Sequence, residues 1–407
     1  MVWLCKENYA FSVFQRDMLK ANPPRRWELH GKMIVPKWPS RLYALDVSRG
    51  MAALSVVLWH WQHFAYEGNV LSKDFVRENQ PFYGMLKLFY ENGAMGVDYF
   101  FLLSGFIFFW LYRNAISQKI IGWKTFFVQR FSRLYPLHAA TLAIVATLQI
   151  FFTHRSGNAF VYPFNDTYHF FLNLAFASNW GIEKGWSFNA PVWSVSIEIL
   201  LYAVFFLIAV CGKGGVLCTF LVSVISFTAQ FISSHLIFKG LAPFFFGGTV
   251  FYITYIISIK YSEWKRPIYL LTVYFWLFTV LSFYFSEVAD IITMQVFARR
   301  VFLIGFPIYL LFPLSICSLA LLEIDKKISF KQFSWIGDIT YSTYLLHFPL
   351  QLSFMLAASY GVISFSFYYC PMSLILFFSI LVSTSYLTYR SFEAPMQKFI
   401  RDFFTIH

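Results

Sequence analysis

The chain has 407 residues, 58% hydrophobic and only 13% charged, with a formal net charge of +12. A soluble chain would carry about 25% charged residues, so this composition excludes an ordinary soluble domain and defines an all-α polytopic membrane bundle. The positive balance does not mark a nucleic-acid binder, because the basic residues sit in short segments between apolar runs instead of lining one face.

Residues 1–44 are basic and interrupted by Pro23, Pro24, Pro36 and Pro39. They contain no continuous apolar core, so no secretory signal is expected and a cytoplasmic N-terminal arm is. The first span is predicted over 45–66, LDVSRGMAALSVVLWHWQHF and its flank. It opens with Asp46 and Arg49 and reaches His60. At about 100° per residue Arg49 and His60 share a face, about 16 Å apart along the axis. Ionisable groups inside a membrane helix are costly and mark functional sites. The blander alternative makes Arg49 an interfacial anchor and His60 a hydrogen-bond partner for another helix.

A polar loop over 67–93 leads to a second span over 94–112, with Asp98 near its outer end and Ser104–Gly105 near its middle. Small residues there serve either as a packing notch or as a point of ligand contact. The basic connection KTFFVQRFSRLYP holds Lys124, Arg130 and Arg133 and precedes a third span over 134–153. Arg130 and Arg133 are neighbours on a helix. They suit either a phosphate held by charged bidentate bonds or simple anchoring at acidic lipid heads. The loop over 154–190 carries a half-apolar piece, 168–177, read as re-entrant or interfacial. Ser194 and Glu198 then share a face in the span over 191–211, where the carboxylate is expected to meet a His, an Arg or substrate.

Further spans are predicted over 214–233, 241–259, 267–286, 301–322, 337–360 and 371–392. In the ninth, Tyr341 and Tyr344 share a stripe, His347 is offset from it, and Pro349 can kink the helix. His347 reads first as inter-helix glue. The segment YRSFEAPMQKF reads as an interfacial end, followed by a short cytoplasmic tail over 398–407. The result is about ten spans of about 20 residues each. With the N-terminus inside, 24 of the 32 Lys and Arg residues fall on the cytoplasmic side, so both termini are expected there. Five cysteines (Cys5, Cys211, Cys218, Cys317, Cys370) have no metal-ligand spacing and no metal is expected.

The order of these pieces resembles acyltransferase family 3, a family of integral-membrane O-acyltransferases. The matching segments are LDVSRGMAALSVVLWH, GVDYFFLLSGFI, RFSRLYP, PVWSVSIEILLY, TYSTYLLHFPL and FEAP, over about residues 42–397. The arm of roughly 40 residues is longer than the family's usual lead-in, and no fused esterase-like domain is seen. The resemblance implies one membrane domain over 45–397 in a bacterial inner membrane. It implies transfer of an acyl group, usually acetyl, from cytoplasmic acyl-CoA to a hydroxyl of a surface polysaccharide or lipid-linked glycan. It carries Arg49 and His60 over as the essential pair and Arg130 with Arg133 as the two-arginine motif. Glu198 and the Tyr341–His347 segment match recurring pieces whose roles are less settled.

The chemistry is consistent with that reading. A thioester is already activated, and what is missing is a base for a sugar hydroxyl. A His with an ordinary pKa of about 6.5 can supply it. His60 either deprotonates the acceptor directly or carries the acyl group in a two-step reaction. Arg49, Arg130, Arg133 and Lys124 are expected to hold the CoA phosphates. Ser104, Tyr341 or Tyr344 can donate to the oxyanion, and Glu198 can orient His60 or the acceptor. Asp98, Tyr341, Tyr344 and His347 stand as substrate-side candidates. A proton-coupled transporter is the competing class, because it too uses intramembrane ionisable residues, but the two halves show no internal repeat.

Overall fold

The computed structural model describes residues 38–233, 235–284 and 303–406. The predicted arm up to residue 37 and the connection over 285–302 lie outside the described residues. The chain is almost wholly helical, and the one sheet among the described residues is a hairpin of β1 (Tyr66–Glu67) and β2 (Val70–Leu71).

Helix α1 is Tyr43–Trp59, and the chain then tightens into a 3-10 turn, His60–Ala65. Next come α2 (Tyr83–Asn92), α3 (Gly96–Leu111), α4 (Arg113–Ser117), α5 (Trp123–Ser156) and α6 (Thr167–Leu174). The second half holds α7 (Trp193–Val210), α8 (Val216–Ala229), α9 (Leu236–Ile259), α10 (Lys265–Tyr284), α11 (Phe312–Ile324), α12 (Ser334–Asp338), α13 (Thr340–Ser359), α14 (Pro371–Thr388) and α15 (Ala394–Ile406).

Seven of the described helical segments are long and apolar enough to cross a membrane. Helices α1 and α13 fall outside that set although both are packed deep in the bundle. Helix α1 is only 17 residues long and carries Asp46, Ser48 and Arg49, and α13 has polar residues on its buried face, which lower its hydropathy. In α13 these include Thr340, Ser342, Thr343, His347 and Gln351. Polar residues at such depth are retained where they line a site.

Four expected boundaries shift. The loop expected over 67–93 holds α2, and the second span reaches back through it as one helical stretch, Tyr83–Leu111. The basic connection before the third span is part of α5, a 34-residue helix that passes through Pro136. At about 50 Å it is longer than the roughly 30 Å hydrocarbon core, so its basic first turns extend beyond the apolar slab. The half-apolar piece contracts to α6, whose N-terminus is capped by Asp166 accepting from the His169 N–H. The last span does not end at FEAP. It passes through a π-helical turn, Tyr389–Glu393, into α15, which lies along α5 and takes in most of the stretch expected as a short tail.

The Ser104–Gly105 notch is resolved by packing. A Cβ on Gly105 would lie 1.7 Å from the Phe244 carbonyl oxygen, and one on Gly247 would lie 1.9 Å from that of Leu102. Helices α3 and α9 touch backbone to backbone there, which only glycine allows. Helix α1 is pinned as well. The Leu42 side chain offers no cap, and Glu323 of α11 instead accepts from the Tyr43 and Ala44 N–H groups at 2.9 and 2.8 Å. A carboxylate at a helix N-terminus satisfies orphan donors and opposes the dipole. Arg41 then bridges Asp46 (2.5 Å) and Asp338 (2.6 Å), tying α1 to α12.

Candidate functional site

Two buried polar clusters lie along α1, one near its start and one just past its end. The first gathers the arginines. Arg49 donates through Nη2 to the Gly337 carbonyl at 3.1 Å and lies 3.5 Å from Asp46, while its Nε is buried without a partner. From α5, Arg133 comes within electrostatic range of Arg49, and it faces Glu393, Tyr202, Glu198 and Asp46. Arg130, one turn earlier, donates to the Tyr112 hydroxyl at 2.5 Å and lies over the rings of Phe108 and Tyr112. Its Nε is also buried and unpaired. Two buried guanidinium N–H groups without acceptors form an incomplete arrangement that an anion would complete. Lys124 is exposed at the start of α5.

Four carboxylates border this cluster: Asp46, Asp338, Glu198 and Glu393. Glu198 accepts from the Tyr202 hydroxyl (2.6 Å) and from Ser104 (3.2 Å). Glu393 is buried and accepts from Ser342 at 2.6 Å. Tyr341 donates to the Leu134 carbonyl on α5 at 2.7 Å. Glu198 makes no hydrogen bond to His60 among the described residues, so the carboxylate expected as a possible orienter stands with the arginines.

The second cluster is imidazole. Because α1 gives way to a 3-10 turn at His60, a tighter winding of about three residues per turn brings His63 to the same side. His60 stacks on His347 of α13 with centroids 4.9 Å apart, and His63 lies 4.8 Å from His60. Nδ1 of His60 is 3.2 Å from Nε2 of His347, whose Nδ1 is 2.6 Å from the Tyr344 carbonyl. His63 bonds Gln351 through Nδ1 (3.0 Å) and Tyr162 through Nε2 (3.3 Å), and Gln351 in turn donates to the His60 carbonyl (3.0 Å). Among the described residues no group of three His, Cys, Asp or Glu side chains is placed to hold a metal ion.

Pro349 shapes α13 here. It has no N–H, so the Leu345 carbonyl four residues back loses its helical partner. Asn189, in the turn before α7, donates to that carbonyl at 3.0 Å, and its own Oδ1 is buried and unpaired. The Tyr344 hydroxyl donates to the Pro191 carbonyl at 2.5 Å and pairs with Ser194 at 2.9 Å, so the same turn is fastened to α13 twice.

The structure therefore brings Arg49, Arg130 and Arg133 into one region with Glu198, Ser104 and Tyr341. It brings His60 and His347 together, with Tyr344 one turn below. Asp98 stands apart. It is buried at the start of α3, its Oδ1 has no partner, and its nearest charge is Lys239 of α9. His63, Tyr162, Gln351, Asn189 and Tyr202 complete the two clusters and were not singled out from sequence, and Glu393, read there as part of an interfacial end, joins them. Only His63 carried a signal, its spacing of three from His60.

The fold and these clusters define a multi-pass membrane protein built around a buried polar site. The acyltransferase family 3 profile, described as an acyltransferase domain, matches residues 42–389, and the chain belongs to that family. Among curated proteins it is similar to "Acyltransferase MdmB" of Streptomyces mycarofaciens, 29% identical over 168 residues that cover 40% of this chain and 38% of that protein. It is also similar to "Protein 2 in picA locus" of Rhizobium radiobacter, 33% identical over 108 residues covering 26% and 46% of the two chains. The matches thus span less than half the length of either relative. No solved structure matches the chain.

Proposed function

We propose that this acyltransferase moves an acyl group, acetyl in the family's usual case, from cytoplasmic acyl-CoA to a hydroxyl of a surface polysaccharide or lipid-linked glycan. The observation that carries the reading is the pair of unpaired buried guanidinium N–H groups, Arg49 Nε and Arg130 Nε, at one end of a helix whose other end carries a buried imidazole. A helix with arginines gathered near one end and a base about 16 Å away matches a donor whose phosphates and thioester lie at opposite ends of an extended arm. In this reading the arginine end of α1 faces the cytoplasm, as the Lys and Arg distribution favours, in a bundle of about ten spans with both termini inside. The membrane is then the bacterial inner membrane, from which the glycan side is reached across the bilayer.

The roles follow from position. Arg49, Arg130 and Arg133 hold the CoA phosphates, with Glu198 and Glu393 keeping Arg133 directed inward. His60 takes the proton of the acceptor hydroxyl as that oxygen attacks the thioester carbonyl. Asp98 with Lys239 forms a polar contact on the acceptor side.

The test is mass spectrometry and NMR of the surface glycan from cells with and without the protein. Loss of one acyl ester without it, restored by the wild type and not by His60→Ala at equal membrane level, is the expected result. An unchanged glycan, together with proton-dependent solute flux that needs no CoA, would move the protein to the transporter class.

A further inference from the structure

We infer that His347 is the positioning residue for His60, fixing by a direct imidazole–imidazole hydrogen bond the tautomer in which His60 Nε2 is the free base. The inference rests on the reading of His60 as base and goes beyond it. It gives a specific task to a residue that the sequence marks only as inter-helix glue or substrate contact.

The argument is one of donors and acceptors. A carbonyl oxygen only accepts, so the 2.6 Å contact from the Tyr344 carbonyl puts the proton of neutral His347 on Nδ1. Its Nε2 then holds a lone pair and must accept. The atom facing it, Nδ1 of His60 at 3.2 Å, must therefore be the N–H. A neutral imidazole has one N–H, so the lone pair of His60 lies on Nε2. Had a hydroxyl or an amide N–H stood in place of His347 Nε2, the opposite tautomer would have been free to form.

The neighbouring imidazole makes the contrast. His63 meets Gln351 at Nδ1 and the Tyr162 hydroxyl at Nε2, so both of its nitrogens are engaged. His347 likewise has both nitrogens engaged. Of the three rings only His60 keeps a nitrogen for an outside proton. His347 is wholly buried and its ring lies nearly parallel to that of His60, at 25°. Its carbonyl anchor lies on α13, where the Asn189 and Tyr344 bonds hold the helix around Pro349. Positioning groups of this kind contribute by orienting the base and by sharing the charge it gains.

The step balances. His60 Nε2 accepts the acceptor O–H proton as the oxygen bonds to the thioester carbonyl carbon. The C–S bond breaks, and the CoA thiolate leaves and takes that proton from Nε2. Throughout, the Nδ1–H of His60 stays in its bond to His347, which shares the transient positive charge.

Three variants of the full-length protein in detergent, assayed as acetyl-CoA turnover read by CoA thiol release, test the inference. His347→Ala is expected to lower kcat on the order of 10²-fold with KM for acetyl-CoA unchanged, a split that loosened packing at the arginine cluster would not give. His347→Gln, whose amide oxygen can accept the same N–H, is expected to recover a large part of that loss. Side-chain 15N NMR of histidine-labelled protein should show His60 protonated on Nδ1 in the wild type and in His347→Gln. Unchanged kcat in folded His347→Ala, or a wild-type spectrum with His60 protonated on Nε2, would overturn it. If His347→Ala does not fold, the wild-type and His347→Gln spectra decide. His60→Ala separates the two levels: full activity in that variant removes the base assignment itself. Loss there with no loss in His347→Ala removes only the role of His347.

Discussion

The arginine cluster and the imidazole cluster sit along the same helix and are built on opposite principles. Around Arg49, Arg130 and Arg133 the charges are formal, four carboxylates border them, and two buried donors still lack acceptors among the described residues. Around His60 nearly every polar atom has a partner within the protein, and no carboxylate among the described residues touches the rings. A region left incomplete is suited to take up a ligand. A region fully connected except at one atom is suited to hold that atom still. The difference assigns binding to the first cluster and chemistry to the second.

The contrast breaks most visibly at its single free atom. His60→Ala should reduce acyl transfer by about 10²- to 10⁴-fold, the usual contribution of a positioned general base, with protein level and acyl-CoA binding preserved. Glycan ester content per cell, set against membrane abundance on an immunoblot, is the measurement. If binding fell with turnover, the two clusters would not be separable in this way.

Arg133→Ala and Arg49→Ala should act on the other side of the comparison. Each removes charged hydrogen bonds to a ligand anion, worth about 1.5–3 kcal/mol, so KM for acyl-CoA should rise about 10- to 100-fold while kcat moves much less. Initial-rate kinetics over a range of acyl-CoA concentrations would show it. An effect confined to kcat would place these arginines with the imidazoles instead.

A smaller effect is expected where the imidazole cluster is supported from outside. Asn189→Ala leaves the Leu345 carbonyl, already deprived of its helical partner by Pro349, without a donor. The cost is about 1–3 kcal/mol, read as a lower melting temperature in detergent, with a secondary loss of activity as α13 relaxes around His347.

How much of this was legible in the sequence follows from the forces involved. Apolar runs, basic connections and the Arg49–His60 spacing are local, and they yielded the helices, the basic end and the first candidate pair. The tightening of α1 into a 3-10 turn at His60 is not local, because it depends on α13 packing against that turn, and so His63 was passed over. Glu393 read as an interfacial end because its motif closes the last apolar run. Its burial depends on α15 continuing past it along α5 and on Ser342 from α13. Asn189 gave no signal at all, since its task arises only once Pro349 has freed a carbonyl 156 residues away in sequence. Pairings between distant segments are what the sequence pattern does not encode residue by residue.

The same donor–acceptor logic appears once outside the membrane spans, and there it gives the mildest test. In the loop before α7, Asp166 caps α6 by accepting from the His169 N–H and from His169 Nδ1, both at 2.9 Å, while His169 Nε2 accepts from the Lys184 N–H. These bonds, the backbone one foremost, hold the Asp166 carboxyl below its ordinary range. A carboxyl whose pKa is lower in the folded state stabilises that state fully above its unfolded value of about 4. That contribution is lost as pH falls through the depressed value. Amide hydrogen exchange at His169 should therefore stay slow at neutral pH and quicken only in acid. Asp166→Ala should remove the cap at a cost of about 1 kcal/mol at neutral pH, whereas Asp166→Asn should keep the cap and lose the acid dependence. Because this imidazole is held by an exposed carboxylate and not by a second buried ring, acid should loosen α6 while leaving the His60–His347 contact intact. If instead acid released both together, the imidazole cluster would be coupled to this loop through Asn173 and the turn before α7, and the separation of the two clusters would have to include that loop.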